Sequence, residues 1–149
     1  MTERYFEPTQ EAGRKLFSRH IPGEVVMLNL LRFRDEADYS ASPELAPDEP
    51  ISGRQAYQAY IDHTMPFLEA TGGSLALLGA GGHYLIGPEE ERWDCVMLVR
   101  QNSLADFMAF ASDAEYLKGM GHRTAALEDS RLLPVVEFVG NTILGGSDD

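Results

Sequence analysis

Val25-Val26-Met27-Leu28-Asn29-Leu30-Leu31-Arg32-Phe33 is the stretch on which the fold turns. It reads as a strand, yet it lacks the apolar–polar alternation of a half-exposed one. Apolar side chains leave both sides of the chain, so both faces must be covered. Trp93 to Arg100 repeats the signature, with Cys95-Val96-Met97-Leu98-Val99 at its centre.

Between these strands, Arg34 to Gly53 is rich in Asp, Glu, Ser and Pro and shows no periodicity, which predicts a long loop, either a solvated acidic insertion or a mobile lid. Arg54 to Thr71 is helical, with Tyr57, Ile61, Thr64 and Leu68 on one stripe and Tyr60, His63 and Phe67 on the row beside it. Pro66 should kink this helix, and Gly72-Gly73 should end it. Ser74 to Ile86 is the next strand, interrupted by Gly79-Ala80-Gly81-Gly82, and Gly87 to Arg92 is a turn. Ser103 with Asp106, then Ser112 with Glu115, have capping-box spacing and open two helical pieces. Leu132 to Val139 is the last strand, and residues 8 to 20 form a short helix with Leu16 and Phe17 on its apolar side.

The order strand, helix, strand, strand, helix, strand is the split βαβ unit: an α+β, ferredoxin-like fold (β-α-β-β-α-β) with a four-stranded antiparallel sheet and an extra N-terminal helix. The chain divides into an N-terminal helical arm over 1–24, the ferredoxin-like domain over 25–139 and a tail over 140–149. Two helices cover one sheet face, and no element remains for the other. An exposed apolar face of that size exceeds what monomers tolerate, so the expected partner is a second copy packed sheet to sheet as a homodimer.

The chain has 149 residues, about one domain's worth, and a net charge of −12. A surface that negative repels phosphate backbones and anionic lipid heads, so neither nucleic acid nor membrane is an expected partner. Cys95 is the single cysteine, which excludes an internal disulfide, and it reads as a small buried hydrophobe. No stretch has signal-peptide or membrane-span character, so the cytoplasm is the default location. Metal-ligand patterns, phosphate loops and dinucleotide fingerprints are missing, and neither a metal nor a cofactor is expected.

Three segments carry a resemblance. Tyr57 to Gly73 is a helix running into Ala70-Thr71-Gly72-Gly73. The strand ending at Arg100 is followed by Ser103-Leu104-Ala105-Asp106-Phe107. Ser112-Asp113-Ala114-Glu115-Tyr116 precedes Arg123 and then Arg131-Leu132-Leu133-Pro134-Val135. Together, over Val25 to Phe138, the chain resembles the domain-of-unknown-function 1330 family within the dimeric α+β barrel superfamily. The resemblance implies the dimeric α+β barrel rather than one reaction, since relatives in that superfamily include monooxygenases, haem-degrading enzymes, isomerases and sensors. It supports Tyr116 and Arg123 as matching positions and Gly72-Gly73 as structural ones. The arm, the long loop and the last ten residues lie outside it.

Candidate functional residues are polar groups in apolar surroundings. Asn29, inside the first strand, either orients a ligand carbonyl or bonds neighbouring backbone. Arg32, on the opposite strand face, meets an anion or the acidic loop. His63 shares a helical row with Tyr60, and its imidazole can move a proton near neutrality, as can that of His122. Arg123 can fix a carboxylate with its planar fork, or pair with Glu128 or a carbonyl. Trp93 either walls a pocket or packs. Two functions follow. One is a cofactor-independent enzyme that binds a small carbonyl or carboxylate compound through Asn29, Tyr60, Trp93 and Arg123, with His63 or His122 as the acid–base group. The other is a non-catalytic small-molecule-binding or structural dimer module. Convergence of these groups on one cavity favours the first, and their scatter the second.

Overall fold

In the structure, a computed structural model, residues 3–144 are described. The N-terminal helix α1 (Gln10–Ser18) precedes strand β1 (Val25–Phe33), helix α2 (Gly53–Ala70), strands β2 (Ser74–His83) and β3 (Arg92–Gln101), helices α3 (Leu104–Ala111), α4 (Ala114–Leu117) and α5 (Met120–Ala126), and strand β4 (Leu127–Val135). The sheet order is β2-β3-β1-β4, with every neighbouring pair antiparallel. This is a ferredoxin-like α+β fold. The tail expected over 140–149 is described to residue 144; residues 145–149, like residues 1 and 2, lie outside the described part.

β1 separates its two faces by burial. Val25, Met27, Asn29, Leu31 and Phe33 are buried, and the residues between them are half-buried. Leu31 and Phe33 join Tyr57, Tyr60 and Leu68 of α2, Phe110, Tyr116 and Leu127 in the main core, whereas Val25 and Met27 form a second cluster with Leu104. Full burial of a leucine such as Leu31 contributes about 2 kcal/mol. The other face carries Val26, Leu28 and Leu30 of β1, Val96 and Leu98 of β3, Leu77 of β2 and Leu133 of β4. Leu77 and Leu133 remain 48% and 58% exposed there. The apolar character of both faces is thus real, and the helices cover only one.

The stretch from 34 to 53 is a docked excursion. Its neck is closed by Ala37 N–H donating to Ile51 C=O at 2.9 Å, and Asp38 N–H reaches Ala125 C=O at 2.9 Å. A short 3-10 turn at Pro43–Leu45 lies within it. Asp35, Glu36, Asp38, Glu44, Asp48 and Glu49 are all exposed, as a solvated acidic insertion requires, while the backbone pairing that anchors the segment leaves no trace in composition. Pro66 sits within a helix that runs from Gly53 to Ala70 without interruption. Gly79 to Gly82 lie within β2; a Cβ on Gly81 would strike the Trp93 carbonyl, so glycine there permits the β2–β3 pairing. Asp113, not Ser112, caps α4, its carboxylate accepting from the Glu115 and Tyr116 amides.

The last strand begins five residues earlier than hydrophobicity predicts. Glu128-Asp129-Ser130-Arg131 is polar and lies outside the expected strand, yet Asp129 is 0% and Ser130 5% exposed. Their burial is made affordable by the N-terminal arm. Tyr5 N–H donates to Asp129 Oδ1 at 2.8 Å and Ser130 Oγ donates to the Tyr5 carbonyl at 2.5 Å. The Arg131 guanidinium donates to Asp129 Oδ1 at 2.7 Å and lies 4.7 Å from the Tyr5 ring centre. In α1, Leu16 packs beside Val25, Met27 and Leu104, while Phe17 stays 41% exposed.

Burial pushes the Asp129 carboxyl up, but the Tyr5 amide, Arg131 and the Ser130 amide outweigh it and hold it below its ordinary value. A lowered carboxyl contributes stability that is complete above the ordinary value and lost as pH falls through the native one. Acid titration of the melting temperature should therefore show a loss starting near pH 3.8 and continuing below it. In Asp129→Asn this part of the acid limb should flatten, with stability at neutral pH lower by about 2 kcal/mol. An unchanged acid limb in the variant would refute the assignment.

Candidate functional site

The seven side chains singled out from sequence do not meet in one place. Tyr60 and Arg123 come closest to a shared site. The Tyr60 and Tyr116 hydroxyls lie 2.7 Å apart, both buried, and the Tyr57 ring packs against Tyr60. Burial, the neighbouring phenols and the Tyr60–Tyr116 hydrogen bond raise the Tyr116 hydroxyl above its ordinary range, against the opposing charge of Arg123. The Tyr116 phenol stays protonated. Arg123 donates to the Phe6 carbonyl of the arm at 3.0 Å.

The remaining candidates are held elsewhere. Asn29 Nδ2 donates to the Met27 carbonyl at 3.2 Å, the local bond that a buried amide in a strand requires. His63 Nε2 lies 2.9 Å from the Glu115 carbonyl and 3.1 Å from that of Tyr116, so it donates into the end of α4. His122 Nδ1 pairs with the Tyr39 hydroxyl at 2.8 Å, which ties α5 to the docked loop. Burial, then the His63 charge, lower the His122 imidazole below its ordinary value, so at neutral pH it is uncharged. Trp93 is 2% exposed, with Nε1 donating to Tyr84 Oη and Glu91 Oε2, each at 2.9 Å. The guanidinium carbons of Arg32 and Arg131 lie 4.7 and 5.0 Å from its ring centre. Arg32 also forms an ion pair with Asp129 at 3.6 Å.

A cleft of about 280 Å³ opens instead between α2 and the β2–β3 side of the sheet. Phe33, Tyr57, Ile61 and Leu78 give it apolar walls, and Arg54, Gln58, Asp94 and Cys95 give it polar ones. Helical spacing places Arg54, Gln58 and Ile61 on one stripe beside Tyr57, because positions i, i+4 and i+7 share a face. The Ser52 capping box fixes where that helix starts, and with it the position of Arg54 in the first turn. Sequence reasoning missed this site by following the apolar stripe of α2. The polar row one step round the helix was the available signal.

The charges in the cleft are unequal in their commitments. Asp94 Oδ2 accepts from the Phe33 amide at 2.8 Å and Oδ1 from Arg92 Nε at 3.4 Å. Arg54 lies over the Phe33 ring at 5.2 Å and has no hydrogen bond or ion pair among the described residues. Burial pushes the Cys95 thiol up, Arg54 pulls it down and Asp94 adds to the rise, with a net raised value. The thiol is therefore protonated at neutral pH and a poor nucleophile. Among the described residues, no three His, Cys, Asp or Glu side chains gather as a possible metal set, and no helix is long and apolar enough to cross a membrane.

Fold and cleft together define a ferredoxin-like domain with a small-molecule-sized recess between sheet and helix. Two crystal structures of the RPA0582 protein, described as a protein of unknown function from Rhodopseudomonas palustris, match nearly the whole chain. The methylated form is 32% identical with a TM-score of 0.82, and the match covers 93% of this chain and 98% of that one. The other is 33% identical with a TM-score of 0.79, covering 93% and 100%. The chain belongs to the family of RPA0582. A dimeric protein of unknown function with a ferredoxin-like fold, from Bacteroides fragilis, matches at 12% identity and a TM-score of 0.46, over 75% of this chain and 94% of its own. No protein-family model and no curated protein matches the sequence.

Proposed function

We propose that the chain is a non-catalytic, homodimeric small-molecule-binding protein whose cleft takes a small carboxylate or carbonyl compound. The observation that carries this reading is the Arg54 guanidinium, unpaired within the described chain, beside an apolar-walled recess. A planar fork of donors without a partner fits a carboxylate bidentately. Gln58 lies one turn on; its Nε2 donates to Asp62 Oδ1 at 2.9 Å and keeps a second N–H for a carbonyl oxygen. The order of packing and capping segments supports membership of the domain-of-unknown-function 1330 family, and the acidic balance supports a protein without nucleic-acid partners.

The dimer reading is supported by the apolar sheet face and by the apolar residues projecting around it. Leu85 and Ile86 at the β2–β3 tip are 100% and 91% exposed, and Val139 and Leu144 beyond β4 are each 90% exposed. A second copy packed sheet to sheet is the occupant that such a self-complementary apolar face fits.

The enzyme reading assigns His63 or His122 the proton transfer and Asn29, Tyr60, Trp93 and Arg123 the ligand. The observation that favours binding over catalysis is that neither imidazole lines the cleft, each being engaged by backbone or by Tyr39. The test uses benzoate and 2-oxobutyrate with their methyl esters, read by calorimetry. The acids should bind and the esters should not. Arg54→Ala should weaken binding about tenfold or more, as loss of a charge-assisted hydrogen bond predicts, while Arg123→Ala leaves it unchanged. Equal affinity of wild type and Arg54→Ala would overturn the assignment. Binding lost in Arg123→Ala alone would return the site to the tyrosine cluster.

A further inference from the structure

The contacts made by the N-terminal arm have the form of a recognition site. Its two main-chain groups at Tyr5 are both read by side chains of β4, the amide by Asp129 at 2.8 Å and the carbonyl by Ser130 at 2.5 Å. The next carbonyl, that of Phe6, is read by Arg123 of α5 at 3.0 Å. The Tyr5 ring lies under the Arg131 guanidinium at 4.7 Å. Asp129 and Ser130 are almost wholly enclosed. Side-chain groups that read successive backbone positions of a segment lying beside an edge strand hold it by side chains alone, with no main-chain ladder, and an aromatic anchor is added.

The segment held there is loosely joined to the rest. Tyr5 and Phe6 are 49% and 37% exposed, and α1 contains no buried residue. Between α1 and β1, His20 has φ 51°, a left-handed conformation that costs a side-chain-bearing residue energy. Pro22 and Gly23 follow it directly. A strained connection beside a lightly packed terminal element favours exchange of that element between copies, because an exchanged arm makes the same contacts while its hinge relaxes.

We propose that the Asp129–Ser130–Arg131–Arg123 dock accepts the N-terminal arm of a second copy, with residues 19–24 as the hinge, so that each subunit supplies Tyr5 and Phe6 to its partner's β4 edge. The proposal rests on the homodimer reading for its partner and adds a second, separate bond between the copies. Exchange carries each Phe6 carbonyl to the Arg123 of the other subunit.

The test mixes two full-length variants. Tyr5→Gly with Phe6→Gly has a defective arm and an intact dock. Ser130→Ala with Arg131→Ala has an intact arm and a defective dock. Exchange between copies allows one good arm–dock pair in each mixed dimer and none in either parent dimer. Native mass spectrometry of an equimolar mixture should then show mixed dimers above the statistical half, with a melting temperature above both parents. Dimers that mix statistically and melt between the parents would overturn arm exchange and leave the sheet dimer standing. Monomers in every sample, wild type included, would overturn both. Should the dock variant fail to fold, Arg131→Ala alone replaces it with the same expected outcomes.

Discussion

A chain carrying Leu77→Lys and Leu133→Lys should fold as the wild type does and sediment as a monomer. Leu77 and Leu133 are 48% and 58% exposed within one chain, so each lysine can keep its ammonium in water and cost folding no more than about 0.5 kcal/mol. In a sheet-to-sheet dimer the same ammoniums face the partner's Leu28, Leu30, Val96 and Leu98 surface. Desolvating each costs several kcal/mol with no carboxylate opposite, so the dimer dissociation constant should rise by about a thousandfold or more. Sedimentation velocity across micromolar concentrations, with circular dichroism to confirm folding, reads both halves of the statement. A double variant that still sediments as a dimer would show that this face is not the interface.

Gly53→Ala should be strongly destabilising. A Cβ there would collide with the Arg34 carbonyl and lie 2.7 Å from the Ala126 carbonyl and 2.8 Å from the Arg34 amide. All of these are backbone atoms, so no side chain can swing aside. They also form one hydrogen-bonded junction: Gly53 N–H donates to Arg34 C=O at 3.1 Å and Arg34 N–H to Ala126 C=O at 2.8 Å. That junction joins the end of β1, the start of α2 and the end of α5. Overpacking at such a point should cost about 3 kcal/mol, visible as a lower urea midpoint with an unchanged slope. A loss below about 0.5 kcal/mol, the range of a neutral surface change, would show that the junction can yield.

These sites differ in how far the amino acids announced them. The ferredoxin-like order of elements was legible because Val25–Phe33 and Cys95–Val99 are apolar in runs, and because Ser103 and the glycines after Thr71 punctuate the helices. The start of β4 was not, because Asp129 and Ser130 are polar residues whose partners lie in Tyr5, more than a hundred positions away. No local pattern encodes that pairing. The solvated acidic character of the loop after Arg34 was legible, but its anchoring was not, since that resides in backbone bonds to Ala125 and Ala126 and in the Tyr39–His122 pair.

The candidate site was less legible than the fold. His63 and His122 attracted interest as titratable groups, but both serve as struts, one for the end of α4 and one for the docked loop. Asn29 stands out in an apolar strand, and the Met27 carbonyl accounts for it. Arg54 looked like an ordinary polar residue in the first turn of a helix. Its significance depends on its forming no ion pair among the described residues although Asp94 lines the same cleft, a property of three-dimensional surroundings rather than of spacing.

The environment of Cys95 also bears on handling. With its sulfur enclosed and its proton held, the folded protein should store in air without thiol additives and keep its mass unchanged. Covalent pairs on a non-reducing gel would then mark molecules that had lost their structure, giving a simple bench measure of how much of a preparation is sound.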